Sequence, residues 1–266
     1  MNGTESIRDW IKRLIYDLWV LYGFVGPRST SNLHHTVTVL ITYYNPARFR
    51  HINHQLRNML KCDFVERIVI SNHNPEIRID DFVRVSDPRL VVLNQSVRQG
   101  CGYRWHVAHQ FSPDYLIVLD DDILLFPWQV KKLFASLIAE PEVPHGLAGM
   151  VREEKNYLQY HQRENLPVDY ICEVYAITNA HLDRYLYLRD QIEATTELTE
   201  SIESATDFIV ISRAGSLKPK IHSVGYLVRC PTFNTIGVAL HKEGAFFGRI
   251  KATALALDAY EQDQAH

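Results

Sequence analysis

"YLIVLDDDILLF", residues 115–126, sets three consecutive carboxylates between two apolar runs. A short aliphatic run such as Tyr115–Leu119 reads as a strand buried on both faces. Such a strand cannot carry three like charges inside a sheet, so the acids mark the point where it leaves one. If the backbone stays extended there, Asp120 and Asp122 point to one side and Asp121 to the other. Neighbouring carboxylates repel, and a divalent cation between them removes the repulsion. Their hard oxygens suit Mg²⁺ or Mn²⁺, which take one or two protein carboxylates and complete their shell with water and substrate phosphates. Asp122 and Asp120 are therefore the candidate metal ligands, and the object they hold is a metal diphosphate.

Working outward, short apolar runs alternate with amphipathic ones. "TVTVLITYY" (36–44) is a buried strand, and "NPARFRHINHQLRNMLKC" (45–62) a helix opened by Asn45 and Pro46. "VERIVISNHN" (65–74) and "LVVLNQ" (90–95) are further strands, and "GYRWHVAHQF" (102–111) is a helix leading into Tyr115. This alternation predicts an α/β fold: a doubly wound, mostly parallel sheet flanked by helices, with ligands bound beyond the carboxyl ends of the strands.

The 266 residues carry a formal net charge of −3, with 46% hydrophobic and 22% charged residues, which describes a globular chain without bulk attraction for nucleic acid. Cys62, Cys101, Cys172 and Cys230 stand far apart and read as reduced structural thiols. "IRDWIKRLIYDLWVLYGFV" (7–25) is an extra N-terminal amphipathic helix: Ile7, Trp10, Ile11, Leu14, Ile15, Leu18 and Tyr22 share one face. That face either docks on the core or makes a peripheral membrane contact through Trp10 and Trp19. Its apolar run is too short to span a bilayer, and the expected location is cytoplasmic, with peripheral membrane attachment as the second option. The organisation read from the chain is helix and linker over 1–32, one domain over 33–256 and a tail over 257–266. The domain divides into a nucleotide-binding half (33–125) and an acceptor half (126–256).

The strands, "LIVLDDDI", "GYRW", "CEVYAITNAHLDRYLY" and "ATDFIVISRAGSLKPKIHSVG" resemble, in order and spacing, the GT-A glycosyltransferase domain of the exostosin and exostosin-like family. The resemblance runs from about residue 36 to about residue 250 and includes a DxD motif. It implies a metal-dependent transfer of sugar from a UDP-sugar, with UDP-N-acetylhexosamine favoured, to a hydroxyl on a saccharide or lipid-linked acceptor, with retention. Residue by residue it implies Mn²⁺ or Mg²⁺ on Asp122, and Asp120 toward the nucleotide sugar. Arg104 falls at the nucleotide or its phosphates, Asn72 at the base or ribose, and Tyr43 and Arg48 in the first nucleotide loop. Asp207 matches a catalytic or acceptor-positioning acid. The family's preceding acid is replaced here by Thr206, leaving Glu203 as the reserve carboxylate. Glu173, Tyr157, Tyr160 and Tyr175 would border the acceptor, Arg249 would neutralise a departing phosphate, and His222 and His241 are secondary candidates for a late metal ligand.

Two other readings stay open. A nucleotidyltransferase also places carboxylate-bound Mg²⁺ on an α/β sheet, although "TYYNPARF" lacks the glycine- and lysine-rich phosphate loop such enzymes carry. A catalytically inactive nucleotide-sugar-binding module would keep the fold and lose turnover.

Overall fold

The computed structural model describes residues 7–29, 33–153, 158–194, 196–235, 238, 240–242 and 244–264. Residues 1–6 and 30–32 of the N-terminal segment, Tyr157 of the expected acceptor border and 265–266 of the expected tail lie outside the described residues. Helix α1 (Ile7–Val25) is followed by β1 (Val37–Tyr43), α2 (Pro46–Phe49), α3 (Ile52–Leu60), β2 (Val65–Asn72), β3 (Leu90–Asn94), α4 (Tyr103–Phe111) and β4 (Tyr115–Asp120). The second half contains β5 (Ile123–Leu124), α5 (Pro127–Ala139), β6 (His145–Arg152), β7 (Leu158–Gln162), β8 (Leu166–Pro167), β9 (Tyr170–Thr178) and α6 (Asn179–Glu193). It closes with α7 (Thr199–Ser201), α8 (Asp207–Ser212), β10 (Lys220–Ile221), β11 (Val228–Arg229) and α9 (Phe246–Gln264).

The main sheet runs β3-β2-β1-β4-β9-β6-β10-β8, with β7 beside β6. Strands β3, β2, β1 and β4 are mutually parallel, whereas β9 is antiparallel to both its neighbours. The chain winds outward from β1 in both directions, to β2 on one side and β4 on the other, which creates a switch point at their carboxyl ends. Register places Thr42 beside Asp120 there.

Both faces of the sheet are covered, which is why β4 reads as an unbroken apolar run. Leu116 and Val118 face a core built with Trp105, Tyr185 and Ile209, from α4, α6 and α8. Ile117 and Leu119 face the opposite core with Phe49, Leu56 and Phe134, from α2, α3 and α5. All four side chains are essentially fully buried, each contributing about 1.5–3 kcal/mol relative to an exposed position. Alternation therefore sends the next residue, Asp120, toward α4.

The structure revises three expectations. The helix expected over 45–62 is divided at Arg50–His51: Asn45 caps only the short α2, its Oδ1 accepting from Ala47 N at 3.0 Å. The tail expected from residue 257 is instead the last part of α9, where Leu257 is buried and Asp258 pairs with both Arg152 and Arg213. The third concerns α1: its apolar stripe faces away from the core rather than docking on it, and Trp19, grouped with Trp10 as a membrane contact, lies on the docked side. The docked side is Tyr16, Trp19, Val20 and Gly23, packed against Phe126, Tyr226 and Asn58. A Cβ at Gly23 would stand 2.9 Å from Asn58 Oδ1, so a larger residue would press on the Asn58 side chain that bonds the Leu125 carbonyl. Lys61 Nζ then donates to the carbonyls of Gly23, Phe24 and Gly26 at 2.7–2.8 Å, closing the helix C-terminus with a cation.

Candidate active site at the sheet switch point

The aspartate triplet divides between two arginines. Asp120 ends β4 on the α4 face, where Arg104 Nη1 donates to its Oδ1 at 2.7 Å. The chain then turns, so Asp121 and Asp122 do not continue the strand alternation. Both instead meet Arg48 of α2: Nη1 pairs closely with Asp121, and Nη2 lies 2.8 Å from Asp122 Oδ2. The expected grouping of Asp120 with Asp122 against Asp121 is thus replaced, because the backbone ceases to be extended after Asp120. Gln55 secures the turn through its Nε2, which donates to the carbonyl of Ile123 at 2.7 Å.

Arg104 is buried and has three further commitments. Its Nε donates to Asp207 Oδ2 at 2.7 Å, its Nη2 to the Tyr175 hydroxyl at 3.2 Å, and its guanidinium lies 4.7 Å from the Tyr175 ring centroid. Asp207, at the N-terminus of α8, also accepts from Trp105 Nε1 at 2.7 Å and from Cys101 Sγ at 3.3 Å. A carboxylate 1% exposed with both oxygens engaged orients Arg104 rather than meeting an acceptor. The fork of Arg104 is likewise spent on holding Asp120, whose side chain is 33% exposed and is the opening of the network to solvent. Asp207 and Arg104, both expected at the substrate, are paired with each other in the structure, Asp207 fully buried and Arg104 reaching Asp120.

Glu203 does not join them. It lies in a π-helical stretch, Ile202–Thr206, and its carboxylate turns to His106 and Arg189, each at 3.4 Å. This turn packs directly on the loop before α4, where a Cβ at Gly100 would stand 2.1 Å from the Glu203 carbonyl oxygen. Thr206 bonds Thr253 of α9 at 2.8 Å, so an acid there would point into a buried helix contact.

Tyr43 and Asn72 are also organisers. The Tyr43 ring is buried and its hydroxyl bonds Gln55; Asn72 shapes the loop after β2 by donating to the carbonyls of Asn74 and Ile77 at 2.9 and 2.5 Å. The ring presented outward at the end of β1 is Tyr44, 37% exposed, with the Arg98 guanidinium 4.9 Å from its centroid. Strand alternation places residues 43 and 44 on opposite faces, which was the available signal. Arg249 bonds Ser204 Oγ at 3.2 Å, and His222 pairs with His145 at 2.7 Å.

A second cluster borders the first. Glu173 sits in β9 at φ 68°, a conformation strained for a non-glycine residue, beside the register shift between β6 and β9. Tyr160 donates to it at 2.8 Å, and Arg229 of β11 holds it at 2.6 Å. Arg229 reaches this point because β11 pairs with β5 immediately after the triplet, Arg229 opposite Ile123. A two-residue strand has no periodic signature, and the sequence did not reveal it.

Burial dominates the electrostatics. It pushes the Asp120 carboxyl up against the opposing pull of Arg104, raises Asp121 to about 6 despite Arg48, and raises Asp122 well above the usual carboxylate value. Asp122 Oδ1 is buried without a hydrogen-bond partner. Five carboxylates (Asp120, Asp121, Asp122, Asp207, Glu173) face three guanidiniums (Arg48, Arg104, Arg229), which leaves an excess of two negative charges when all are ionised. That excess and the orphaned oxygen fit one divalent cation. Among the described residues no group of three or more His, Cys, Asp or Glu side chains is placed to hold a metal ion by itself.

His73, buried beside this network at the end of β2, was not anticipated. Its Nδ1 meets the Gly100 carbonyl at 2.9 Å, and burial lowers it to about 4. The folded value lies below the ordinary 6.5, so the unfolded chain binds the extra proton between those values and stability falls as pH drops through them. We expect His73 alone to remove about 2 kcal/mol between pH 7 and pH 5. Urea denaturation at the two pH values measures this, and His73→Gln should flatten the dependence.

No protein-family model matches the sequence, and no curated protein matches it. Solved structures do. GalNAc-T7, crystallised with UDP, GalNAc and Mn²⁺, superposes with a TM-score of 0.57 at 10% identity, over 84% of this chain and 48% of that one. CMP:2-keto-3-deoxy-manno-octonic acid synthetase with CTP aligns with a TM-score of 0.41 at 13% identity, over 62% of this chain and 85% of the other. The chain spans about half the length of GalNAc-T7. Its architecture is the GT-A glycosyltransferase fold.

Proposed function

We propose that this protein is a divalent-metal-dependent glycosyltransferase acting on a UDP-sugar. By the exostosin-like motif order the donor is a UDP-N-acetylhexosamine, the acceptor a saccharide or lipid-linked hydroxyl, and the outcome retention. The observation that carries the reading is Asp122: a buried carboxylate with one unpartnered oxygen, among other acids at the switch point of a GT-A sheet. The neighbour that holds UDP, GalNAc and Mn²⁺ supports it.

In this reading Asp122, through its unpartnered oxygen, and Asp120, whose side chain is partly open to solvent, would hold the cation although they pair with different arginines, and the cation would neutralise charge on the diphosphate. Arg48 fixes Asp121 and Asp122, while Asp207 fixes Arg104 and through it Asp120. The bond from the anomeric carbon to the β-phosphate oxygen breaks with its electrons leaving on UDP. The acceptor oxygen forms the new bond and releases its proton to the departing phosphate. Preorganised charge of this kind acts most strongly where it is buried.

A UDP-release assay across UDP-sugars, with Mn²⁺, Mg²⁺ or chelator, tests the proposal. We expect release from a hexosamine donor with Mn²⁺ and none with chelator. No release from any UDP-sugar with any acceptor offered, or pyrophosphate release from nucleoside triphosphates instead, would overturn it.

A further inference from the structure

Helix α1 carries two apolar faces, and only one is used by the domain. Tyr16, Trp19, Val20 and Gly23 dock, while Ile7, Ile11, Leu14, Leu18, Leu21 and Val25 lie on the opposite side. Their exposure is high, 80% for Ile7, 58% for Leu18 and 71% for Val25. Trp10, Ile15 and Tyr22 flank the row and are also exposed, so the stripe is broader than the seam of a two-stranded coiled coil. Exposed apolar surface of this extent marks an interaction site.

Charge beside the stripe identifies the partner. Where α1 ends, Phe24, Arg28, Arg57, Leu60, Lys61 and Arg89 line a cleft of about 390 Å³ with a single acid, Asp87. Asp87 is bound to Arg89 at 3.0 Å, and Lys61 is spent on the helix carbonyls. Arg28 is exposed, and neither it nor Arg57 has an acidic partner among the described residues. A second copy docked with its α1 parallel would bring these cations against their own kind. An anionic surface with an apolar interior satisfies both features at once. No described helix is long and apolar enough to cross a membrane, which leaves contact in the plane of the interface.

We infer that the outer face of α1 lies in the interface of an anionic lipid bilayer, its apolar row in the acyl boundary and Arg28 and Arg57 at the lipid phosphates. Apolar burial supplies most of the affinity, and the arginines supply preference for negative charge. The helix is fixed to the domain by Gly23 and Lys61, so binding also sets the orientation of the domain on the membrane.

Cosedimentation of the full chain with vesicles of phosphatidylcholine, with and without phosphatidylglycerol, tests this. We expect at least tenfold tighter binding to the anionic vesicles, weakened by added salt. Leu14→Asp with Leu18→Asp should lose binding more than tenfold at unchanged melting temperature, because both positions are exposed. Arg28→Glu with Arg57→Glu should erase the anionic preference while weak binding to neutral vesicles persists. Brominated phosphatidylcholine should quench fluorescence in the parent and quench it less in Trp10→Phe, a readout independent of the other variants. Equal binding by parent and Leu14→Asp/Leu18→Asp overturns the inference. So does a dimer, measured by light scattering, that those two substitutions dissociate, since the face would then belong to a second copy.

Discussion

Asp122→Asn lowers metal-dependent UDP release by on the order of 10³-fold and leaves the melting temperature of the cation-free protein within a few degrees of the parent's. The two parts have one cause. Burial holds the Asp122 carboxyl well above its ordinary value, and Asp121 and Asp120 raise it further. A raised carboxyl favours the protonated form of Asp122 in the cation-free folded chain, against the pull of Arg48, and a protonated aspartate is close in shape and charge to asparagine. The substitution changes little until a cation must be held, when asparagine cannot supply the charge. The pH dependence follows the same sign. A carboxyl raised above 3.8 in the folded state costs stability as pH rises past that value, so the variant should lose part of that slope. Turnover assays and thermal melts with chelator, from pH 4 to 7, measure both. Parent-like turnover would remove Asp122 from the site.

Arg104→Ala has the largest effect on stability, about 3–5 kcal/mol, read as a fall in melting temperature of roughly 10 °C. Arg104 is buried and joins Asp207, Asp120 and Tyr175. Its removal strands the Asp207 charge in the core with only Trp105 and Cys101 as donors. Arg104→Lys keeps the charge but not the planar fork, and one ammonium cannot reproduce three separated contacts. We expect it to recover part of the stability and less of the turnover. Asp207→Asn keeps an acceptor for Trp105 and loses the ion pair, so it should fall between the parent and Arg104→Ala. Thermal melts of the three variants order them. Parent-like stability in Arg104→Ala would contradict a buried guanidinium bridging α8 and β4.

The sheet was legible because its strands are buried on both faces, and a β-branched or aliphatic run such as Val37–Ile41 has few other readings. The end of β4 was legible from charge alone. What the sequence concealed depends on contacts between distant elements. Arg48 is drawn to Asp121 and Asp122 across 73 and 74 positions, and nothing local announces it. Asp207 was read as meeting an acceptor because an acid ahead of an apolar helix looks available; only tertiary structure reveals Trp105 and Arg104 already on it. Helix α1 was left with two options, core or membrane, for a different reason: it is apolar on two sides, and periodicity does not say which side docks. Glu173 lay in a strand pattern with no glycine to signal its positive φ.

On the proposed function, the acids at the end of β4 bind a divalent cation together with a uridine diphosphate. Calorimetric titration of UDP into the protein, with Mn²⁺ and then with chelator, tests it most directly. The account expects binding only with Mn²⁺, abolished by Asp122→Asn and retained by Glu203→Gln, whose carboxylate faces Arg189 and His106. Equal UDP affinity in chelator, or equal affinity in Asp122→Asn, would contradict it.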